Sequence, residues 1–485
     1  MNERQLEKQF DDKDPFLITF GPDDSDNPKN WGRVYRWTLT VYASLFVFNS
    51  TFASSSPEGI IAPIIEHFKI SEEVAILAIS LFVAGYCLGP IVWGPLSEQV
   101  QRLNFRPIFL IGFVAYTGFQ IGDALAPNTS ALLIFRFLSG CFAASPLTNS
   151  GGLIADIWDA KTRGKALAFF SFAPFAGPVV GPIIAGYITV GGASWRWLYW
   201  TLALFAAGCL IIIIFLVPET YEPILLVKKA NRRRAESGDE RYYAAYERKP
   251  VRPVLGQIKD IVAKPFILLF NEPMLIAVTL YLSFIYGCLY LEFEAYPIVF
   301  GQGHGLNAGV VGLAFLPALI GSGLALILYL TVFESIYARR VDSLKPLPVP
   351  PEERLRIAIW VGPIYVISYF WFGWTSYPRI SFWAPMLSGL FLGAGFSMIF
   401  LALTNYTVDA YLSVSASALA VQTIVRSFAG AGFPLFANQL FDKLTPRWGS
   451  TLLGLVALAL MPIPLLLTRY GPALRARSKF VPPRR

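Results

Sequence analysis

Residues 197–217 read Trp-Leu-Tyr-Trp-Thr-Leu-Ala-Leu-Phe-Ala-Ala-Gly-Cys-Leu-Ile-Ile-Ile-Ile-Phe-Leu-Val, and none of the 21 carries a charge. A helix needs about 20 apolar residues to cross a hydrocarbon layer. The run is continuous rather than alternating, which excludes a strand of a transmembrane barrel. Working outward, five similar runs precede it, at 37–57, 74–94, 107–125, 131–153 and 165–189. Six follow, at 270–295, 308–333, 356–376, 382–404, 412–438 and 449–468. Gly and Pro recur inside them, as bundled membrane helices tolerate. Over all 485 residues, 55% are apolar and 15% charged, against about 25% charged in soluble domains. Mean hydropathy is +0.52.

The same composition excludes much chemistry. Two histidines, His67 and His304, are too few for a multi-histidine metal site. Cys87, Cys141, Cys209 and Cys288 all lie in apolar runs with no CxxC spacing, and read as buried thiols. No P-loop, nucleophile elbow, HExxH or dinucleotide fingerprint occurs. The expectation is no enzyme, no metal and no cofactor. The N-terminal segment has no basic start followed by an apolar core, so no cleavable signal is expected, and neither end carries a lipidation motif.

Charge distribution sets the topology. With the N-terminus in the cytoplasm, 33 of the 40 Lys and Arg fall in tails and loops on that side. Lys69, Arg196, Arg379, Lys443 and Arg447 fall opposite, while Arg136 and Arg426 lie inside apolar runs. This is the positive-inside pattern. It also disposes of nucleic acid as a partner, because the net charge of +8 is a row of loop anchors. Six runs, a polar stretch containing Lys228, Lys229, Arg232, Arg233 and Arg234, and six more runs suggest a two-fold repeat. The expected fold class is an all-α membrane protein of twelve transmembrane helices in two six-helix half-domains. Its parts are a cytoplasmic tail 1–36, a first half 37–217, a cytoplasmic linker 218–269, a second half 270–468 and a cytoplasmic tail 469–485.

Several short motifs then appear in order. Gly94-Pro95-Leu96-Ser97-Glu98 follows the second run, with Gln99, Arg102 and Arg106 beyond it. Arg136-Phe137-Leu138-Ser139-Gly140 lies in the fourth. The fifth carries Ala173-Pro174-Phe175-Ala176-Gly177-Pro178-Val179-Val180-Gly181-Pro182. Trp195-Arg196-Trp197 and Pro218-Glu219-Thr220-Tyr221 flank the sixth, Phe293-Glu294-Ala295-Tyr296-Pro297 ends the seventh, and Tyr411-Leu412-Ser413-Val414-Ser415-Ala416-Ser417-Ala418 opens the eleventh. By these motifs the chain resembles fungal major facilitator superfamily transporters of the twelve-helix drug:proton antiporter type. The resemblance implies the major facilitator fold, alternating access and coupling to protons. The loop after the second helix departs from the family pattern at Gln99 and lacks its following Gly.

By resemblance, Arg136 takes part in proton coupling, Gly94, Glu98 and Arg102 belong to a conformational loop, and Gly177, Pro178 and Gly181 form the antiporter motif. Physics adds a second reading for several residues. Arg136 either acts on a protonatable group or snorkels to the outer headgroups. Glu58, Glu292 and Glu294 are the candidate proton carriers, or else meet water at the outer boundary. Glu292 and Glu294 stand roughly 200° apart on a helix, so only one faces a central cavity squarely, and family position favours Glu294. Asp123 reads as solvated at an outer boundary. Glu98 latches one state or is a solvated loop acid. Asp156 belongs with Asp159, Lys161 and Arg163 in a loop charge cluster. Arg426 pairs within the bundle or faces water. The Gly/Pro run of the fifth helix is expected to pack on the eighth and seal the cytoplasmic side. Tyr286, Tyr290, Asn149 and Gln422 are substrate-binding candidates, with Asn405 a further polar candidate. Asn128-Thr129-Ser130 is a glycosylation sequon in the outer loop; those at Asn49 and Asn405 fall where they go unused.

The expected function is proton-coupled export of small amphiphilic molecules such as drugs, fungicides or a secreted metabolite. Its partners are the substrate, protons and the bilayer, and the protein is expected to act as a monomer. The expected membrane is the plasma membrane, with the vacuolar membrane as alternative. A polyamine exporter is the runner-up and would need several carboxylates facing the cavity. A sensor without flux is the second alternative, disfavoured by short tails.

Overall fold

Hydrocarbon offers no partner to an open backbone group, so each apolar run satisfies itself as a helix. The computed structural model describes residues 14–99, 105–159, 162–248, 263, 265–344, 349–478 and 480. Among them ten stretches are long and apolar enough to cross a membrane. One, Ser417–Arg477, runs 61 residues, about 90 Å of helix at 1.5 Å per residue. It breaks at Thr445 (φ 61°), just before Pro446, and is therefore two crossings. The helix Arg33–Ser55 has 23 residues and lies alongside the fifth crossing; its Ser and Thr dilute the hydropathy without shortening the span. The protein is an all-helical membrane protein with twelve crossings.

These are α1 (Arg33–Ser55), α2 (Glu72–Gln99), α3 (Phe105–Ala124), α4 (Thr129–Ile157), α5 (Arg163–Val190) and α6 (Arg196–Leu216). The second set is α7 (Pro273–Tyr296), α8 (Ala308–Tyr337), α9 (Leu355–Thr375), α10 (Trp383–Tyr411), α11 (415–444) and α12 (446–477). An even number of crossings returns the chain to its starting side, here termed the terminal face. Turn chemistry marks several ends. Lys69 adopts φ 53° and closes the short helix Ile61–Phe68, and the Asn128 side chain accepts from the Ala131 N–H at 2.8 Å to cap α4.

Packing relies on small residues that let backbones touch. A Cβ on Gly140 of α4 would overlap the Phe82 carbonyl of α2. Gly177 and Gly181 of α5 lie against α1 at Phe52 and Ser56. The α5–α8 contact sits higher, where Gly186 meets Ala308 and Gly309, and Gly312 meets Pro182 and Ile183. This corrects the expected seal. The α5–α8 contact through these glycines lies toward the face opposite the termini, and Gly177 and Gly181 serve α1 instead. The reason is geometric: α8 begins at the opposite face, so the last turns of α5 meet its first turns. Nearer the terminal face Gly164 approaches the Glu334 carboxyl. Between these levels α5, α8 and α10 border a small half-open hollow of about 20 Å3 lined by Phe172, Phe175, Ser322, Tyr329, Ser397 and Met398.

Outside the spans, the segment before α1 clasps the chain after α6. Ile18 N–H donates to the Tyr243 carbonyl at 2.9 Å, Tyr243 N–H donates to the Phe16 carbonyl at 3.0 Å, and the Tyr243 hydroxyl donates to Asp14 at 2.7 Å. Lys229 pairs with Asp24, and Arg232 with Asp26 at 2.7 Å, from the linker helix Glu222–Ser237. The Phe16 N–H and the Tyr243 hydroxyl hold the Asp14 carboxyl below its usual range. The Lys229 ammonium does the same for Asp24.

Two outcomes test this packing. Gly140→Ala should lower stability by about 1–3 kcal/mol through overpacking, read as a lower unfolding temperature in detergent. The clasp acids are depressed in the folded chain, so their contribution is complete above the ordinary aspartate range and is lost as pH falls through and below it. Protection of the Phe16, Ile18 and Tyr243 amides, taken against the intrinsic exchange rate at each pH, should therefore fall on acidification, and Asp24→Asn should lower it at neutral pH; protection unchanged by either would refute the clasp.

Candidate functional site

The first cluster grows from a missing donor. In a helix the Ala53 carbonyl would accept from residue 57, but that residue is Pro57 and has no N–H. Arg136 of α4 supplies the bond: its Nη2 donates to Ala53 at 2.9 Å and its Nε to the Ala78 carbonyl of α2 at 2.7 Å. The guanidinium stacks on Phe82 at 4.2 Å and faces Tyr199 at 5.8 Å. Arg136 is 0% exposed, which overturns snorkelling. Asp123 is also 0% exposed, not solvated at a boundary. It accepts from the Ser139 hydroxyl at 3.3 Å and lies within the field of Arg136. The α3 residues Tyr116 and Gln120 share this polar interior.

The second cluster joins the two sets of helices. Glu58 sits on the turn Ser56–Ile60 after α1, and Glu294 near the end of α7. Their carboxyls lie close enough to interact electrostatically, with Glu72 contributing further negative charge. Two carboxylates at close range repel, so their approach is favoured when one of them carries a proton. Glu292 turns away, as a roughly 200° offset requires. It accepts from the Tyr369 hydroxyl at 3.2 Å, which in turn contacts Tyr365 at 3.0 Å. Of the three candidate carriers, the structure brings Glu58 and Glu294 together and leaves Glu292 inside the second helix set.

Below this pair, the Ser54 and Tyr290 hydroxyls meet at 2.8 Å, and Tyr290 approaches Tyr286 at 3.5 Å. Arg426 of α11 lies 5.1 Å from the Tyr286 ring and 4.9 Å from the Phe400 ring. Phe400 contacts Phe175 of α5 at 5.4 Å. Asn149 and Gln422 are buried and committed elsewhere, Asn149 to the Ser145 carbonyl at 3.0 Å and Gln422 to the Thr407 hydroxyl at 2.7 Å. Asn405 donates to the Tyr329 hydroxyl at 3.3 Å.

At the terminal face, Arg102 and the side chains of Gly94 and Glu98 lie outside the described residues. Asp156 accepts from the Thr220 hydroxyl at 3.3 Å, close to Glu219 and Lys29; Lys161, first grouped with it, lies outside the described residues. Sequence reasoning missed a second charge cluster there. Arg354 pairs with Asp409 at 2.9 Å and Glu334 at 3.9 Å and stacks on Tyr337 at 3.6 Å, tying α8, α9 and α10. A signal existed, since Asp409 ends α10 as Asp156 ends α4, six crossings earlier. Ser54 was also missed, and nothing in its sequence context marks it. Asn128, at the opposite face, is exposed, and its side-chain oxygen serves as the cap of α4.

Comparisons with known proteins place this geometry in context. The family model described as Major Facilitator Superfamily matches residues 42–434. The chain is 39% identical over 466 residues to the efflux pump FUB11 of Gibberella moniliformis, covering 96% of this chain and 78% of that one. It is 38% identical over 470 residues to the major facilitator superfamily multidrug transporter mdrA of Aspergillus fumigatus, covering 97% and 76%. Among solved structures, the proton:xylose symporter XylE bound to 6-bromo-6-deoxy-D-glucose superposes with a TM-score of 0.63 at 17% identity, covering 91% and 96%.

Arg136→Ala should cost about 3–5 kcal/mol, because it strands two carbonyls and opens a cavity. Pro57→Ala restores an N–H to the Ala53 carbonyl, so adding it to Arg136→Ala should recover part of the loss. Unfolding temperatures of the four proteins in a double-mutant cycle check this; strict additivity would refute the shared carbonyl.

Proposed function

We propose that this chain, which belongs to the Major Facilitator Superfamily, exports small amphiphilic organic molecules in exchange for protons. The observation that carries the reading is the Glu58–Glu294 pair, which spans α1 and α7 and so the two helix sets. A proton between these carboxyls holds the sets together at this level. Its loss leaves two like charges in a poorly hydrated site, which favours their separation. Proton occupancy and the closeness of the helix sets are thereby linked, as an exchanger requires. Arg136 positions the same region, because it anchors the last turn of α1, from which Glu58 emerges.

Relatives named as an efflux pump and a multidrug transporter support export over import. The basic tails and loops support termini in the cytoplasm, and an exporter of this kind is placed in the plasma membrane, acting as a monomer. The polyamine alternative needs carboxylates free to meet a cation. Glu58 and Glu294 face each other and Glu292 faces Tyr369, so the geometry favours the first reading.

Purified protein in liposomes with an internal pH-sensitive dye tests it. Adding an amphiphilic substrate should trigger proton movement in the wild type. Glu294→Gln and Glu58→Gln should each abolish that movement while substrate binding persists. Substrate flux without proton movement in the wild type would overturn the coupling, and proton movement retained by both variants would overturn the role of the pair.

A further inference from the structure

The interior cations of this protein differ in one respect. Arg136 is committed to two carbonyls, Arg354 to Asp409 and Glu334, and Arg475 to Glu352 at 2.9 Å. Arg426 has neither a carboxylate within ion-pair distance nor a hydrogen bond among the described residues, whereas Arg136, which leaves only Nη1 without a partner, donates twice. It does not escape to the surface. Phe428, two residues on, is 62% exposed and faces outward, so Arg426 points inward, roughly 200° away. There it lies against Tyr286 of α7 and Phe400 of α10. Phe400 and Phe396 reach Phe175 of α5 at 5.4 and 4.9 Å, and Tyr286 connects through Tyr290 to Ser54 of α1. The guanidinium therefore lies near where both helix sets meet, one ring removed, through Phe400, from Phe175 of α5.

Arg426 is half-buried, and a partly desolvated charge without a counter-ion costs stability. Aromatic faces attract a guanidinium but leave its in-plane N–H groups unused. Those groups form a fork that matches a carboxylate in two parallel bonds. Phe400 beside it, with Phe396 and Phe175 beyond, suits an apolar ring or alkyl body. We propose that Arg426 is the anion-binding group of the transport site, and that the exported substrates are amphiphilic organic anions with a carboxylate on an apolar body. The inference rests on the export reading and narrows its substrate class. An organic cation would meet an unneutralised guanidinium at this point, and like-charge juxtaposition is costly.

The test uses three probes of one shape: para-butylbenzoate, para-butylbenzamide and para-butylbenzylammonium. Binding to the purified full chain and flux in liposomes are measured separately, with unfolding temperature as the check on folding. The wild type should bind the benzoate at least about tenfold more tightly than the amide, with the ammonium weakest. Arg426→Gln should erase the preference of benzoate over amide, and Arg426→Lys should keep part of it. Equal or absent binding of the three probes, tightest binding of the ammonium, or a benzoate preference retained by Arg426→Gln overturns the proposal. Selective benzoate binding without flux would sink the export reading and leave the anion site standing; flux of all three without preference would do the reverse.

Discussion

Pro57 has no N–H to give, and the turn of helix before it carries the consequence. The Ala53 carbonyl lies in a region where water does not complete the bonding, so another part of the chain must. Arg136 does this, and in reaching Ala53 it also bonds Ala78 and stacks on Phe82. One side chain thus fixes α1, α2 and α4 relative to one another. The close α2–α4 approach at Gly140 brings α4 near enough for the reach. The turn that follows Pro57 then projects Glu58 toward α7.

The acid pair depends on this anchoring. Glu58 and Glu294 belong to different helix sets and have no cation between them among the described ion pairs. Their contact is favourable only with a shared proton, so it is conditional in a way that apolar packing is not. Neighbouring contacts between the sets are unconditional: Gly186 on Ala308, Gly312 on Pro182, and the Ser54–Tyr290 hydroxyl pair. In the proposed exchange, this is the contact that a proton would switch.

The centre has a different character. Tyr286, Phe400, Phe396 and Phe175 present aromatic faces around one guanidinium, with few other polar groups. Such walls bind through area and shape, and the single charge adds orientation. The polar candidates Asn149 and Gln422 each donate to a neighbour on their own side.

The twelve crossings, their order and the family were legible in the sequence, because a run of apolar residues has one low-energy solution in hydrocarbon and charged loops report the side they lie on. Arg136, Glu58 and Glu294 were legible as residues of interest for the same reason: charge inside an apolar run is costly wherever it lands. Their partners were not. Whether Arg136 snorkels or bonds Ala53, whether Asp123 meets water or Ser139, and which of Glu292 and Glu294 faces Glu58 depend on the rotation and depth of helices about one another. Those quantities are set by close contacts between residues far apart in the chain, such as Gly140 with Phe82 and Gly186 with Ala308. Hydropathy places a helix in the membrane but is nearly indifferent to its rotation there, so only tertiary packing decided which side chains meet.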